Sequence, residues 1–297
     1  MAIYHLRAKI IKKGDGRTGV GAAAYRSGEE LTNEVDGLTH DYTRKRGIEY
    51  TEIMLCNNAP QEYQNRETFW NAVEKSEKQN VNRTYQKENK DGEIKDKTHG
   101  ARIAREIEIA LPLELSRQEQ IKLVQDYVKD NFVDKGMCAD IAIHKGHTHK
   151  VDKQYKNDDE IKKDNPHAHI LLTMRPIDEN GKWENKTEKV YICKNRQGET
   201  RELTSKELQA ANSSGQEWEK QFKYKGSRGK SVTLTPSEAA TEQYEGYKKV
   251  KKDPISILGR QNPKIEEWNR TETLEHWREQ WAAYQNASLE KKIFLSE

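Results

Sequence analysis

Cysteine, apolar bulk and net charge are all scarce in this chain. Its 297 residues hold three cysteines, Cys56, Cys138 and Cys193, far apart and with no C-x-x-C pair. That excludes a cysteine zinc knuckle and a disulfide framework, and it suits a reducing cytoplasm. No run approaches the roughly 20 apolar residues of a membrane helix, and no charged-then-apolar leader opens the chain. A soluble cytoplasmic protein with no membrane insertion is expected. Hydrophobic residues make up only 33% against 34% charged, and mean hydropathy is −1.12. The core must therefore be economical and its surface excursions long. A net charge of +3 does not by itself advertise nucleic acid. Its distribution says more: Lys220–Lys264 carries eleven Lys/Arg against four Asp/Glu, a local +7 that leaves about −4 elsewhere. Such a tract can follow a phosphate backbone or form a solvated face.

Against this background one cluster stands out. A charged loop ends in Asn165-Pro166-His167-Ala168-His169 and runs straight into Ile170-Leu171-Leu172-Thr173-Met174. On a β-strand, alternate side chains share a face, so His167 and His169 would project together. Asp140-Ile141-Ala142-Ile143-His144 reads as another short strand, and an antiparallel neighbour would bring His144 beside the pair. Three imidazoles with an open position make a catalytic divalent-metal site rather than a closed structural one. His147 and His149 have the same spacing, but they lie in a basic loop with no apolar strand to hold their rings. Loop histidines lose more entropy on binding, so His144, His167 and His169 are the favoured set.

Element signals run along the whole chain. Ile3–Ile11 alternates as a first strand, with Tyr4, Leu6, Ala8 and Ile10 on one face and His5, Arg7 and Lys9 on the other. Helices are expected from Val20 toward Leu31 and over Arg66–Gln79, and a strand over Glu52–Leu55. Ala101–Leu111 alternates as a strand stopped by Pro112, and Ser116 caps a helix over Gln118–Phe132. A last helix, Glu266–Leu289, carries Trp268, Leu274, Trp277, Trp281 and Tyr284 at near-helical spacing, which favours core packing over base stacking. The order β-α-β-α-β-α-β-β predicts an α+β fold: a mostly antiparallel central sheet with helices packed on one side. One domain over 1–297 is expected, with polar insertions near 80–100, 145–165 and 180–265, the last as an extended arm. The full protein is expected to continue past Glu297.

A metal beside a basic surface suits polarisation of a phosphoryl oxygen. The attacking group could be water. It could also be Tyr25, which follows three alanines on an early helix beside Arg26. A free phenol has a pKa of about 10, so only about one in a thousand is ionised at pH 7. A bound cation and Arg26 would favour phenolate as the new bond forms. With thirteen tyrosines in the chain, chemistry alone leaves the choice open.

Met1-Ala2-Ile3-Tyr4-His5 and Gly21-Ala22-Ala23-Ala24-Tyr25-Arg26-Ser27-Gly28-Glu29 resemble the opening of the MobA/MobL relaxases. These are plasmid-mobilisation proteins of the MOBQ class, within the His-hydrophobic-His endonucleases. Further blocks follow in the family's order: Ala104-Arg105-Glu106-Ile107 with Ala110-Leu111-Pro112, the Asp140–His144 strand, the Asn165–His169 motif, and Trp277-Arg278-Glu279-Gln280-Trp281. The resemblance spans nearly the whole chain.

It implies a relaxase fold and a site- and strand-specific nicking enzyme acting on single-stranded transfer-origin DNA. Tyr25 matches the nucleophile, and His144, His167 and His169 match the ligands of a divalent ion, Mg²⁺ or Mn²⁺. Glu106 is then the carboxylate that orients a metal-bound imidazole, with Glu108 on the same strand face as the alternative, and Arg26 is the candidate DNA contact. Accessory relaxosome proteins and a coupling protein are the implied partners. Two other readings stay open. One is a rolling-circle replication initiator, which usually carries its tyrosine after the histidine motif. The other is a metal-stabilised DNA-binding module without chemistry. The loop between His144 and Pro166 is longer than the family pattern needs.

Overall fold

Thr18 starts the first helix by accepting the amide hydrogen of Gly21 at 2.8 Å, which satisfies an orphan donor of the first turn. The computed structural model describes residues 4–13, 17–77, 83–88, 94–99, 101–146, 165–226 and 229–296. His147 and His149 lie outside them. Strand β1 (Leu6–Lys12) leads to helix α1 (Gly19–Ser27), which buries Val20, Ala23 and Ala24. Gly28 ends α1 at φ 71°, a left-handed conformation that glycine adopts without strain, and its N–H caps Ala24 O. A hairpin absent from the expected order follows, β2 (Glu30–Asn33) with β3 (Leu38–Asp41), then β4 (Ile48–Met54) and helix α2 (Arg66–Glu77). Part of the polar tract near 80–100 forms a second hairpin, β5 (Arg83–Glu88) with β6 (Ile94–His99). Then come β7 (Arg102–Ala110), α3 (Arg117–Val128), β8 (Ala139–His144) and β9 (His167–Thr173). Ser116 caps α3 as expected, and the structure adds Glu119, which closes a reciprocal capping box with it.

The chain divides into two compact units, Met1–Glu184 with Glu267–Glu297, and Asn185–Glu266. In the first unit the central sheet runs β1-β7-β9-β8-β4, antiparallel at every pairing. The α+β class and the antiparallel centre are as expected, but the helices cover both faces rather than one. Neighbouring residues on β7 show it: Glu106 meets Arg26 of α1, whereas Arg105 lies against Trp277. Successive strand side chains point to opposite faces, so α1 and the helix bearing Trp277 lie on opposite sides.

The second unit corrects the expectation of an extended arm. Strand β10 (Thr187–Asn195) pairs with β11 (Thr200–Leu203), β12 (Trp218–Lys220) and β16 (Ser256–Gln261). Helix α4 (Ser205–Ser213) lies between β11 and β12 in sequence. Strand β13 (Phe222–Lys225) pairs with β14 (Ser231–Leu234) and β15 (Lys248–Lys249), with the one-turn helix α5 (Pro236–Ala239) between the last two in sequence. Val190, Cys193, Trp218, Tyr224 and Leu234 are buried. Lysines extend this small core: Lys220 Nζ sits 3.6 Å from the centroid of the Tyr191 ring and Lys249 Nζ 3.7 Å from that of Phe222. Each ammonium lies over a ring face as a cation–π contact.

Helix α6 (Pro263–Trp268) crosses the boundary in sequence, and α7 (Thr271–Ser296) belongs to the first unit. The single expected last helix is thus interrupted at Asn269-Arg270. Its aromatic stripe is core: Trp277 and Trp281 are buried, the Trp281 ring meets Tyr127 at 5.0 Å, and the Tyr127 hydroxyl donates to Trp277 O at 2.9 Å.

Candidate functional site

Register assembles the histidines. In the β8–β9 ladder His144 stands directly opposite His167, and Ala142 opposite His169, so all three side chains share one face. Their ring centroids are 5.0 to 5.3 Å apart, and one ligand atom from each lies within 4.8 Å of the others.

Two rings have one nitrogen bonded to a carbonyl oxygen, His144 Nε2 to Arg26 O at 2.8 Å and His167 Nδ1 to Asn165 O at 2.9 Å, and His169 Nδ1 lies 2.8 Å from Glu106 Oε1. A carbonyl oxygen can only accept, so His144 Nε2 and His167 Nδ1 carry hydrogen and the opposite nitrogens keep their lone pairs. That is the arrangement of metal-binding imidazoles with their outer supports in place. Burial pushes His144 down to about 4, so its ring is the neutral, ligating form at neutral pH. The residues fit a divalent cation.

Glu106 is fully buried between the cations Arg26 and Lys9 and the His169 ring. It accepts from Arg26 Nε, lies 2.7 Å from Lys9 Nζ through Oε2, and holds His169. Burial opposes its ionisation, yet the hydrogen bonds from His169 and Arg26 and the Arg26 charge outweigh that and hold the carboxyl well below its ordinary range. Glu108 stands directly opposite His169 in register, but it makes no hydrogen bond or ion pair among the described residues. Glu106, opposite Leu171, reaches His169 along the diagonal.

Tyr25 lies in the last turn of α1, 48% exposed, with its neighbour Arg26 bonded through the main chain to His144. Its ring meets Tyr42 edge-on at 5.2 Å. Lys45 Nζ lies 3.7 Å from the ring centroid and donates to Tyr25 O at 2.6 Å. Burial and the Arg26 charge push Lys45 down to about 8. Arg26, expected as a DNA contact, has a side chain only 13% exposed and engaged by Glu106 and Ala22 O. A second buried cluster fixes β8 under α2: Asp140 accepts from Arg66 Nε at 3.0 Å and from Trp70 Nε1 at 2.8 Å.

Lys9 and Lys45 were missed by the sequence reading. Lys9 carried a signal, since alternation placed it on the polar face of the first strand. Lys45, in Thr43-Arg44-Lys45-Arg46, carried none.

Fold and site together define an α+β protein whose central sheet carries a histidine triad that could hold a cation, tied to a tyrosine-bearing helix. A sequence profile of the MobA/MobL family matches residues 17–294, and the chain belongs to that family. It is 35% identical over 191 residues to the mobilization protein MobL of Acidithiobacillus ferridurans, covering 61% of this chain and 45% of that protein. It is 34% identical over 187 residues to the conjugal transfer protein TraA of Rhizobium radiobacter, covering 60% of this chain and 14% of that one. The chain thus spans less than half the length of these relatives. A solved structure titled "Molecular Basis of Vancomycin Resistance Transfer in Staphylococcus aureus" shares the fold: TM-score 0.56, 22% identity, 98% of this chain and 94% of that one. Among the described residues no helix is long and apolar enough to cross a membrane.

Proposed function

We propose that this chain is the DNA-nicking part of a conjugative mobilisation relaxase, with Tyr25 as its nucleophile and transfer-origin DNA as its substrate. One observation carries the reading: the 2.8 Å bond from His144 Nε2 to Arg26 O ties the histidine cluster to the residue next to the tyrosine. A bond forms from Tyr25 Oη to the scissile phosphorus as the bond from phosphorus to O3′ breaks. The phenol gives up its proton and O3′ gains one, leaving a 5′-phosphotyrosyl strand and a free 3′-OH. Because the ester keeps the energy of the phosphodiester, the 3′-OH can attack it and reclose the strand.

His144, His167 and His169 are the residues that would hold a divalent ion, Mg²⁺ or Mn²⁺. When bound, such an ion supplies Lewis-acid polarisation of a phosphoryl oxygen. The rest is positioning and charge. Glu106 fixes the His169 ring, Lys9 and Arg26 keep Glu106 ionised, and the Lys45 ammonium over the Tyr25 ring holds positive charge beside the nucleophile. Both units would serve one nicking domain, with the lysines of the second following the DNA backbone. Accessory relaxosome proteins and a coupling protein are the expected partners.

The test is incubation with a panel of single-stranded transfer-origin oligonucleotides and Mg²⁺ or Mn²⁺, read on a denaturing gel. A covalent protein–DNA band that depends on the ion is expected. Tight binding without any such band across the panel would leave a binding module instead.

A further inference from the structure

We propose that the sheet face turned away from the histidines carries a separate anion site, centred on Arg105 and shaped for a phosphate of a nucleic-acid strand. Arg105 is 7% exposed. Its guanidinium donates to Trp268 O at 2.8 Å and to Asn269 Oδ1 at 2.7 Å, and lies 5.0 Å from the Trp277 ring centroid. All three partners are neutral, and among the described residues no carboxylate pairs with it. A buried cation without a counter-charge is unfavourable, and the molecule elsewhere avoids it. Buried Arg66 has Asp140, and buried Arg175 has Glu77.

A second observation points to the same place. Lys12 and Arg102 are direct partners across the β1–β7 ladder. Two cationic side chains thus stand side by side at the ends of the two strands. The two flank a pocket of 520 Å³ into which Arg105, Arg270 and the indoles of Trp268 and Trp277 also face, with no acidic residue among the described residues of its wall. Burial and the Arg102 charge push Arg105 down to about 10, the direction expected where positive charge is crowded.

A phosphodiester suits this pocket. It carries a full charge at every pH of interest, its oxygens match the planar guanidinium donors, and a strand brings one phosphate after another past the three outer cations. Inorganic phosphate or a mononucleotide would satisfy the same donors, so the experiment must separate those sources. The inference rests on the nucleic-acid reading above, though not on Tyr25 chemistry.

The test uses the full chain and the double variant Arg102→Gln/Arg270→Gln, both at exposed positions. Affinity for a fluorescent single-stranded oligonucleotide is measured by anisotropy across a salt series. Mn²⁺ affinity, thermal unfolding and covalent adduct formation are followed on the same samples. The double variant should bind the strand more weakly, with a salt slope smaller by about 1.4 for two lost phosphate contacts at roughly 0.7 each. Mn²⁺ affinity and unfolding should match the parent. An unchanged slope in a variant that unfolds like the parent overturns the proposal, even if adduct still forms. Absence of adduct from the parent, with the slope difference intact, overturns the nicking reading and leaves this site standing. If millimolar inorganic phosphate stabilises the parent but not the variant while the strand slope is unchanged, the pocket takes free phosphate and the strand assignment fails.

Discussion

Arg105 and Glu106 are adjacent on one strand, both buried and both charged, yet they face opposite circumstances. Glu106 looks toward α1 and is surrounded by His169, Arg26 and Lys9. Arg105 looks toward α7 and, among the described residues, is held by neutral acceptors and an indole face. One face of the sheet has balanced its buried charge internally, and the other has left it open. The contrast suggests what each face is for. A balanced network holds side chains in fixed geometry, as an imidazole cluster needs in order to bind a cation. An unbalanced one attracts charge from outside.

The strongest way to break the comparison is at the balanced face. Tyr25→Phe removes the proposed attacking atom and nothing else, so covalent adduct should fall below detection while oligonucleotide affinity stays near the parent's. Adduct at the parental rate would move the nucleophile elsewhere. Tyr42, packed against Tyr25, would be next; Tyr50 is a poorer candidate, because burial and its hydrogen bond to Glu52 push it up to about 12. Next in size, His167→Ala or His169→Ala should abolish Mn²⁺ binding by calorimetry and cleavage with it. His147→Ala and His149→Ala should be nearly silent, and undiminished binding in the first pair would shift the site to the second.

Glu106→Gln sharpens the contrast. It should lower Mn²⁺ affinity or activity by about 10- to 100-fold, whereas Glu108→Gln should change little. The carboxyl of Glu106 is held below its ordinary value in the folded chain, so its pairing contributes stability that is full above about pH 4.3. That contribution is lost as the pH falls from there toward the folded value. Denaturant melts of the metal-free protein should therefore fall less steeply with acid in Glu106→Gln than in the parent. Lys45→Met should slow adduct formation more than it weakens binding, with partial rescue in Lys45→Arg. A single-turnover rate equal to the parent's would make Lys45 merely a packing residue.

The smallest effect belongs to the open face. Lys12→Thr should lower the salt slope of strand binding by roughly 0.7, about half the change in the double variant. An unchanged slope, measured by anisotropy across a salt series, would take Lys12 out of the anion site.

Local signals in the sequence determined much of this. Alternation marked β7, short apolar runs marked β8 and β9, and the spacing of His167 and His169 on a strand made their shared face a matter of backbone geometry. Ser116 announced α3 as its N-cap, and the aromatic spacing of Trp277 and Trp281 announced a buried helix face. These are short-range properties, set by a residue and its neighbours within a turn or a strand. What crossed long distances was decided only by tertiary structure. Strand order put β7 beside both β1 and β9, which brought Lys9 and His169 to Glu106 and left Glu108 alone. The loop after β3 carried Lys45 onto Tyr25 with no periodic signal to foretell it. The 185–266 unit formed a core from few apolar residues, because strand pairing brought Val190, Cys193, Trp218, Tyr224 and Leu234 out of water from distant points in the sequence. Burial, and with it the charge balance of Glu106 and Arg105, is a property of what surrounds a side chain in space. Neighbours in sequence cannot supply it.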